Sequence, residues 1–416
     1  MEPKNLIVGI DLNRKESQIC YYERSSQDAV SAPVKVGSAR VTFPTLLCRL
    51  PETGEWRYGL EAEYFAEQKN GVLIDRLYDL CADGNSFSAE GETFTGGELL
   101  AEFLRQVLTM VGVDRPDRQT AGIMITVPRL TKPFVQAIRR AYEILGISRG
   151  RSFLQDYRES FYYHTLCQKQ ELWARNVGLF LFGGEDVTFF RLDLNFRTKP
   201  VTASVREGKT VSLKGDPKGK DQKFHRLIEE SLKEELYSSI YLVGEGFDRS
   251  WAQKSTALLC RGKRKVFAGD NLFARGACFA AREKVEEKSL KNYLYAGDAL
   301  IRFNVGMDMK INGCPAYYPL VTAGVNWYET EKECEFLLEG TSALVFVVSS
   351  MEEGKRRRYG MALPGLPERP DRATRIRLHV EFDSPDRCRI TAEDLGLGEL
   401  FPASGKVWHE TMEGWS

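Results

Sequence analysis

Apolar positions in the first part of the chain fall alternately into short blocks and helical stripes. Residues 6–10 form a compact apolar run, residues 13–16 are polar, and residues 17–22 then alternate. A branched apolar run, a polar interruption and an alternating run predict two strands joined as a hairpin. Val41-Thr42-Phe43-Pro44-Thr45 reads as an edge strand because proline cannot donate to a sheet ladder. After Trp56-Arg57-Tyr58-Gly59, residues 61–69 read as a charged helix. Leu99, Leu100, Phe103, Leu104, Val107, Leu108 and Val111 recur at helical spacing. Gly122-Ile123-Met124-Ile125-Thr126-Val127 is a strand stopped by Pro128. The next helix is capped by Thr131, carries Pro133 in its first turn, buries Phe134, Ala137, Ile138, Ala141, Tyr142 and Leu145, and ends at Gly146. This is α/β patterning.

The opening pattern returns at Val177-Gly178-Leu179-Phe180-Leu181, followed by Phe182-Gly183-Gly184-Glu185-Asp186 and a second alternating run. Residues 200–220, rich in Lys and Gly, read as loop. Phe224, Leu227, Ile228, Leu232 and Leu236 mark a helix, residues 240–243 a strand, and Asp248 the cap of a helix passing through Trp251 to Leu259. Val266-Phe267-Ala268-Gly269-Asp270 reads as a strand. A helix capped by Asn271 follows, and small residues at Ala274, Ala277 and Ala281 predict close helix packing. Beyond the charged run 282–288, alternating segments at 301–305, 335–339, 343–348, 375–382 and 387–392 predict antiparallel strands, with Ser384-Pro385-Asp386 as the last turn. The expected domains are 1–175, 176–289 and 290–416, the last mostly β.

Two similar hairpins suggest two lobes across a cleft, each turn offering backbone N–H groups to a phosphate chain. Asp11, at a strand end, is placed to hold a metal ion or water, whereas the matching residue of the second copy, Phe180, can do neither. Otherwise Asp11 is a turn-forming carboxylate. Arg14 and Lys15 can neutralise phosphate. Gly183 and Gly184 can present N–H groups or simply make a hairpin turn; Gly244 and Gly246 follow an apolar strand directly and permit close ligand approach. Trp251, Phe273 and Tyr241 are candidates to line an adenine cleft, or else core aromatics. His164, His225, His379 and His409 are isolated, which suits packing or surface roles. Lys355-Arg356-Arg357-Arg358 reads as a solvated loop.

The 416 residues carry 58 basic and 58 acidic side chains, so no global field recruits nucleic acid or anionic membrane. Nine scattered cysteines without a Cys-x-x-Cys argue against a disulfide framework or zinc site and suit a reducing cytoplasm. No apolar run is long enough to be a membrane span.

In sequence order these motifs resemble the seventy-kilodalton heat-shock chaperone family, within the actin and sugar-kinase ATPase superfamily. Val8-Gly9-Ile10-Asp11-Leu12 resembles its first phosphate strand, Phe43-Pro44-Thr45 its Pro-Ser or Pro-Ala segment, and Tyr58-Gly59-Leu60-Glu61-Ala62 its Gly-x-x-Ala element. Ile125-Thr126-Val127-Pro128 and Leu154-Gln155-Asp156 resemble the segments around the interlobe connection. Leu181-Phe182-Gly183-Gly184 resembles the second phosphate loop, and Leu242-Val243-Gly244-Glu245-Gly246 the adenosine-side loop. The resemblance implies a two-lobed actin-like ATPase fold with a C-terminal antiparallel β domain, ATP or ADP with Mg2+ as ligand, and polypeptide partners for residues 290–416. Asn13, Arg14, Lys15, Gly183, Gly184, Gly244 and Gly246 would then face nucleotide, with Asp11 and Asp156 at the metal. Departures are several: Asn13-Arg14-Lys15 replaces Gly-Thr-Thr, Glu63 stands where a catalytic lysine is expected, residues 194–239 shorten the upper subdomain, and no helical lid follows the β domain. The expectation is a divergent chaperone-like protein with weak nucleotide binding and no efficient hydrolysis. The alternative is a nonenzymatic interaction scaffold on the same fold, and a sugar kinase ranks third.

Overall fold

The computed structural model describes residues 5–413 except 36, 90, 234, 270, 287 and 351–355. Asp270, Glu287 and Lys355 therefore lie outside the described residues. The chain divides into two compact units, residues 1–297 and 298–416. The first is mixed α/β and the second is an antiparallel β unit.

Two sheets of the first unit repeat one strand order. In one, Leu6–Asp11 lies parallel to Thr120–Val127, which lies parallel to Ser152–Asp156; on its other side it pairs antiparallel with Glu16–Glu23, which continues to Asp28–Ser31. In the other, Asn176–Gly183 lies parallel to Tyr237–Glu245, which lies parallel to Lys265–Ala268; on its other side it pairs antiparallel with Asp186–Asn195, which continues to Val201–Ser212. Both expected hairpins form.

Strand alternation fixes what each face meets. Val8, Ile10 and Leu12 enter an outer core with the helices Gly96–Thr109 and Lys132–Ile144. Ile7, on the opposite face, packs with Ala274, Ala277 and Cys278 of the helix Leu272–Val285. Gly9 faces that helix with no room to spare, since a Cβ there would lie 2.2 Å from the Cys278 nitrogen. In the second sheet Val177 and Leu179 meet the helix Tyr157–Leu166, while Phe180 and Phe182 meet Pro217–Leu232. The helices Tyr157–Leu166 and Leu272–Val285 thus lie on the inward faces, and a Cβ at Gly276 would be 2.1 Å from the Ser160 carbonyl oxygen. Of the small residues expected to mark close helix packing, Ala274, Ala277 and Ala281 share a cluster with Ile7, Cys20 and Met124 of the sheet, and the close helix–helix approach falls at Gly276 instead.

Capping follows the sequence where the cap is local. Thr95 and Glu98 make a reciprocal capping box, and Thr131 accepts from the Phe134 N–H. Other expectations need correction. Residues 200–220 are not a loop: Val201–Ser212 is a strand whose Ala203 and Val205 are buried, and its Lys and Gly belong to an exposed continuation of the ribbon. Asp216 then caps Pro217–Leu232. Asp248 accepts from Ser250 N–H in a turn, and the helix starts later, as Gln253–Leu259. Asn271 holds the N-cap position without a capping bond, donating instead to Ser31 Oγ.

The second unit has two four-stranded antiparallel sheets. One orders Cys314–Val321, Phe303–Ile311, Ala343–Ser350 and Arg356–Ala362; the other orders Glu331–Leu337, Arg375–Ser384, Arg387–Gly396 and Val407–Glu413. Phe303 of one sheet and Phe382 of the other approach with ring centroids 5.9 Å apart. Burial raises the Asp394 carboxyl, but hydrogen bonds from Arg369, Ser404 and Gly396 outweigh it and hold the group well below the usual carboxylate range. Arg356, Arg357 and Arg358 are strand residues at a sheet edge, not the expected loop. No described helix is long and apolar enough to cross a membrane, and all nine cysteines are free thiols.

Candidate functional site

The C-terminal ends of the parallel strands in each sheet carry the candidate turns. In the first sheet Asp11 ends its strand and residues 13–15 make the turn to Glu16–Glu23. Thr45 pins this turn: its hydroxyl donates to the Asn13 carbonyl at 2.7 Å, and its N–H to the Lys15 carbonyl at 2.8 Å. In the second sheet parallel register sets Gly183 beside Glu245 and Phe182 beside Gly244. Gly244 has φ +99°, and a Cβ there would stand 2.2 Å from the Phe182 carbonyl oxygen. Only glycine tolerates both conditions.

These turns border a cavity of about 310 Å3. Asp11, Asn13, Arg14, Lys15, Gly183 and Gly244 line it together. Gly184 and Gly246 belong to the adjoining turns but do not line it; the Gly184 N–H donates to the Glu245 carbonyl at 2.9 Å. Asp156 is an N-cap, its Oδ1 accepting from the Glu159 N–H at 2.9 Å, and it stays outside the lining. Glu63 is exposed on the helix Gly59–Glu67 and also stays outside. Gln18, Thr42, Tyr157 and Leu181 line the cavity without having been singled out as site residues.

The charges of this cavity are answered from within. Asp11 is buried and accepts a 2.6 Å hydrogen bond from the Tyr157 hydroxyl. Burial pushes its carboxyl up to about 7, against the pull of that bond. The Tyr157 ring stacks on Phe273 at 3.7 Å and 10°, so two aromatic planes wall the inner side of the cavity. Lys15 Nζ lies 3.0 Å from Glu245 Oε2, tying the turn of one sheet to that of the other. Arg14 pairs with Asp79 at 2.8 Å, and its guanidinium lies 5.3 Å over the Tyr78 ring. The side chain of Glu16 holds Arg40 at 2.8 Å.

Of the three aromatic candidates, Phe273 alone reaches this lining. Trp251 packs against Phe182, Phe224 and Phe247, and Tyr241 stacks on Phe267. His164 is a core residue, packed edge-on to Tyr241, and burial followed by the Arg275 charge pushes its pKa down to about 3. Among the described residues, no group of three or more His, Cys, Asp and Glu side chains is placed to hold a metal ion.

The matching of Asp11 with Phe180 is also corrected. Asp11 shares the inward face of its strand with Ile7, whereas Phe180 faces outward to Phe224. The inward residue that lines the cavity from the second sheet is Leu181. A one-residue slip reverses the face in a strand, so a sequence repeat aligned on Gly9 and Gly178 inverts the comparison.

Residues 28–298 match a family model described as family of unknown function (DUF5716), C-terminal. Residues 300–414 match a model described as domain of unknown function (DUF8552). The change from one match to the other falls at the division between the two compact units. None of the curated proteins compared with the chain matches it. Because the first match covers more than half of its length, the chain belongs to the DUF5716 family, in the part described as C-terminal.

Proposed function

We propose that this protein is a nonenzymatic interaction scaffold, built on a two-lobed actin-like fold related to the heat-shock chaperones, whose interlobe cleft is held together by its own side chains. The repeated strand order and paired inward helices support the two-lobed reading. The observation that carries the functional reading is the internal pairing around the cavity: Asp11 with Tyr157, Lys15 with Glu245, Arg14 with Asp79. A polyphosphate would have to displace carboxylates from both cations, and Mg2+ would compete with a proton for Asp11 at neutral pH. Phosphoryl transfer depends on charge stabilisation at the reacting phosphate, where loss of one good donor costs about 3 kcal/mol. Protein contacts would fall to the unit of residues 298–416, whose sheets end in strands able to pair with an extended chain. Unpaired cysteines suit a cytoplasmic setting.

A second reading, weak Mg2+-dependent ATP or ADP binding without efficient turnover, is favoured by Gly183 and Gly244 standing opposite Asp11 across one cavity. Calorimetric titration of nucleotide-stripped full-length protein with ATP and ADP in Mg2+, alongside phosphate release, separates the readings. The scaffold gives neither saturable heat nor phosphate; saturable heat without phosphate supports the second reading; stoichiometric binding with sustained turnover overturns both.

A further inference from the structure

We propose that a groove at the far end of the second sheet of the first unit is a docking site for an acidic segment of a partner protein carrying apolar anchors. The strands Asn176–Gly183 and Tyr237–Glu245 run in parallel, so their N-terminal ends lie together, opposite the ends that bear the glycine turns. A groove of about 650 Å3 opens there. It is separate from the candidate cleft, and the cleft's ligand has no bearing on it.

The floor is apolar: Leu172, Ile228, Leu232, Leu236 and Leu258. Leu236 is 65% exposed, and Phe196, 63% exposed, lines a smaller pocket that shares Ala174 and Arg175 with this groove. These are the two most exposed large hydrophobic side chains among the described residues of the first unit. Two such side chains flanking one concave surface mark a place where another chain removes them from water.

The rim is cationic. Arg175, Arg261, Lys263 and Lys265 line it, and among the described residues none of the four holds an ion pair. Arg264 is different: its guanidinium turns back to the carbonyls of Arg261 and Leu258, closing the end of the helix Gln253–Leu259. Of the acids of the lining, Glu235 is held by Arg191 and Asn176 at 2.5 and 2.7 Å. Glu171 and Glu229 also line the groove, Glu229 lying 3.6 Å from His225, and the basic side chains of the rim outnumber them. Cations gathered over exposed leucine repel one another while the leucine stays wet, and an acidic segment with apolar anchors relieves both costs. A neutral apolar segment relieves one only, and a basic segment worsens the other.

The probe is a fluorescent amphipathic peptide with leucines on one face and glutamates on the other, titrated into the full-length protein by anisotropy. Two control peptides replace glutamate by lysine or leucine by alanine. The glutamate–leucine peptide is expected to bind, more weakly as salt rises, and the controls at least ~10-fold more weakly. The double variant Arg261→Glu, Lys263→Glu is expected to lose at least ~10-fold in affinity with unchanged circular dichroism. Leu236→Ser, at a position 65% exposed, supplies a second variant if the first fails to fold. The proposal is overturned by equal binding of the lysine peptide, by unchanged affinity in either folded variant, by no binding of any peptide, or by a concentration-dependent dimer that the same variants abolish.

Discussion

The two central strands of the first unit, Leu6–Asp11 and Asn176–Gly183, occupy matching places in sheets of the same order, yet they spend their side chains differently. The first brings a carboxylate, Asp11, to the inward cavity and lies directly against helix backbone at Gly9. The second brings Leu181 to the cavity, and its glycine, Gly178, lies against the ends of Ile240 and Phe189. Shared topology fixes where a turn falls, whereas the identity of one inward residue fixes what it can do. Here one half contributes a titrating group, the other an apolar wall.

The largest expected contrast lies between Phe180 and Leu181. Phe180 is fully buried between Phe189 and Phe224, so Phe180→Ala should cost about 3–5 kcal/mol in urea unfolding. Leu181 is half-buried at the cavity, and Leu181→Ala should cost less than about 2 kcal/mol. Equal losses would mean that both side chains face the core and would undo the assignment of faces.

The glycines sharpen the same comparison. A methyl at Gly9 meets the backbone of Leu272–Val285 and cannot be accommodated without moving that helix, so Gly9→Ala should cost about 3 kcal/mol. At Gly178 the added Cβ would lie 2.7 Å from Ile240 Cδ1, which can rotate away, and the expected loss is about 1 kcal/mol. Denaturation midpoints of the two variants, measured together, test the difference.

Asp11 sets a pH dependence that its counterpart Leu181 cannot. Its folded carboxyl titrates at about 7 against 3.8 when unburied, so the folded state binds the proton more tightly. Below about pH 4 both states are protonated and no penalty applies; stability then falls as pH rises through about 7, where the ionised form is buried. Asp11→Asn keeps an acceptor for Tyr157 and removes the titration. Above pH 7 it should exceed wild type by roughly 1–3 kcal/mol, the advantage vanishing in acid. A constant difference across pH would assign Asp11 another environment.

The smallest effect belongs to the tie between the turns. Lys15 and Glu245 are 72% and 51% exposed, and removing either should cost less than about 1 kcal/mol. A larger loss in Lys15→Ala would mean that the pair does more than close the cavity.

Much of this arrangement is readable from local pattern. The two hairpins, the Thr131 cap and the turn at Ser384-Pro385-Asp386 depend on neighbours in sequence, and each forms where residue type and spacing put it. Six of the candidate residues also meet at one cavity, because strand ends carrying glycine or aspartate in parallel sheets converge at the same edge. The remainder depends on partners far along the chain. Nothing near Asp11 announces Tyr157, and nothing near Lys15 announces Glu245. The solvated half of the ribbon Val201–Ser212 has the Lys and Gly composition of a loop, while Ala203 and Val205 keep it in the sheet. Phe180 aligns with Asp11 by residue spacing, but only alternation tells which face is inward, and Phe180 faces outward.

The charged side chains Asp11, Arg14 and Lys15 of the cavity are met by Tyr157, Asp79 and Glu245, with Asp11 held against Tyr157 in a buried, proton-retaining state. A 13C-carboxyl NMR titration of aspartate-labelled protein, with and without ATP and Mg2+, tests it most directly. One carboxyl is expected to titrate near 7, absent in Asp11→Asn and unmoved by the nucleotide. An Asp11 signal that titrates in the ordinary carboxylate range, or that shifts in stoichiometric response to ATP and Mg2+, would contradict it.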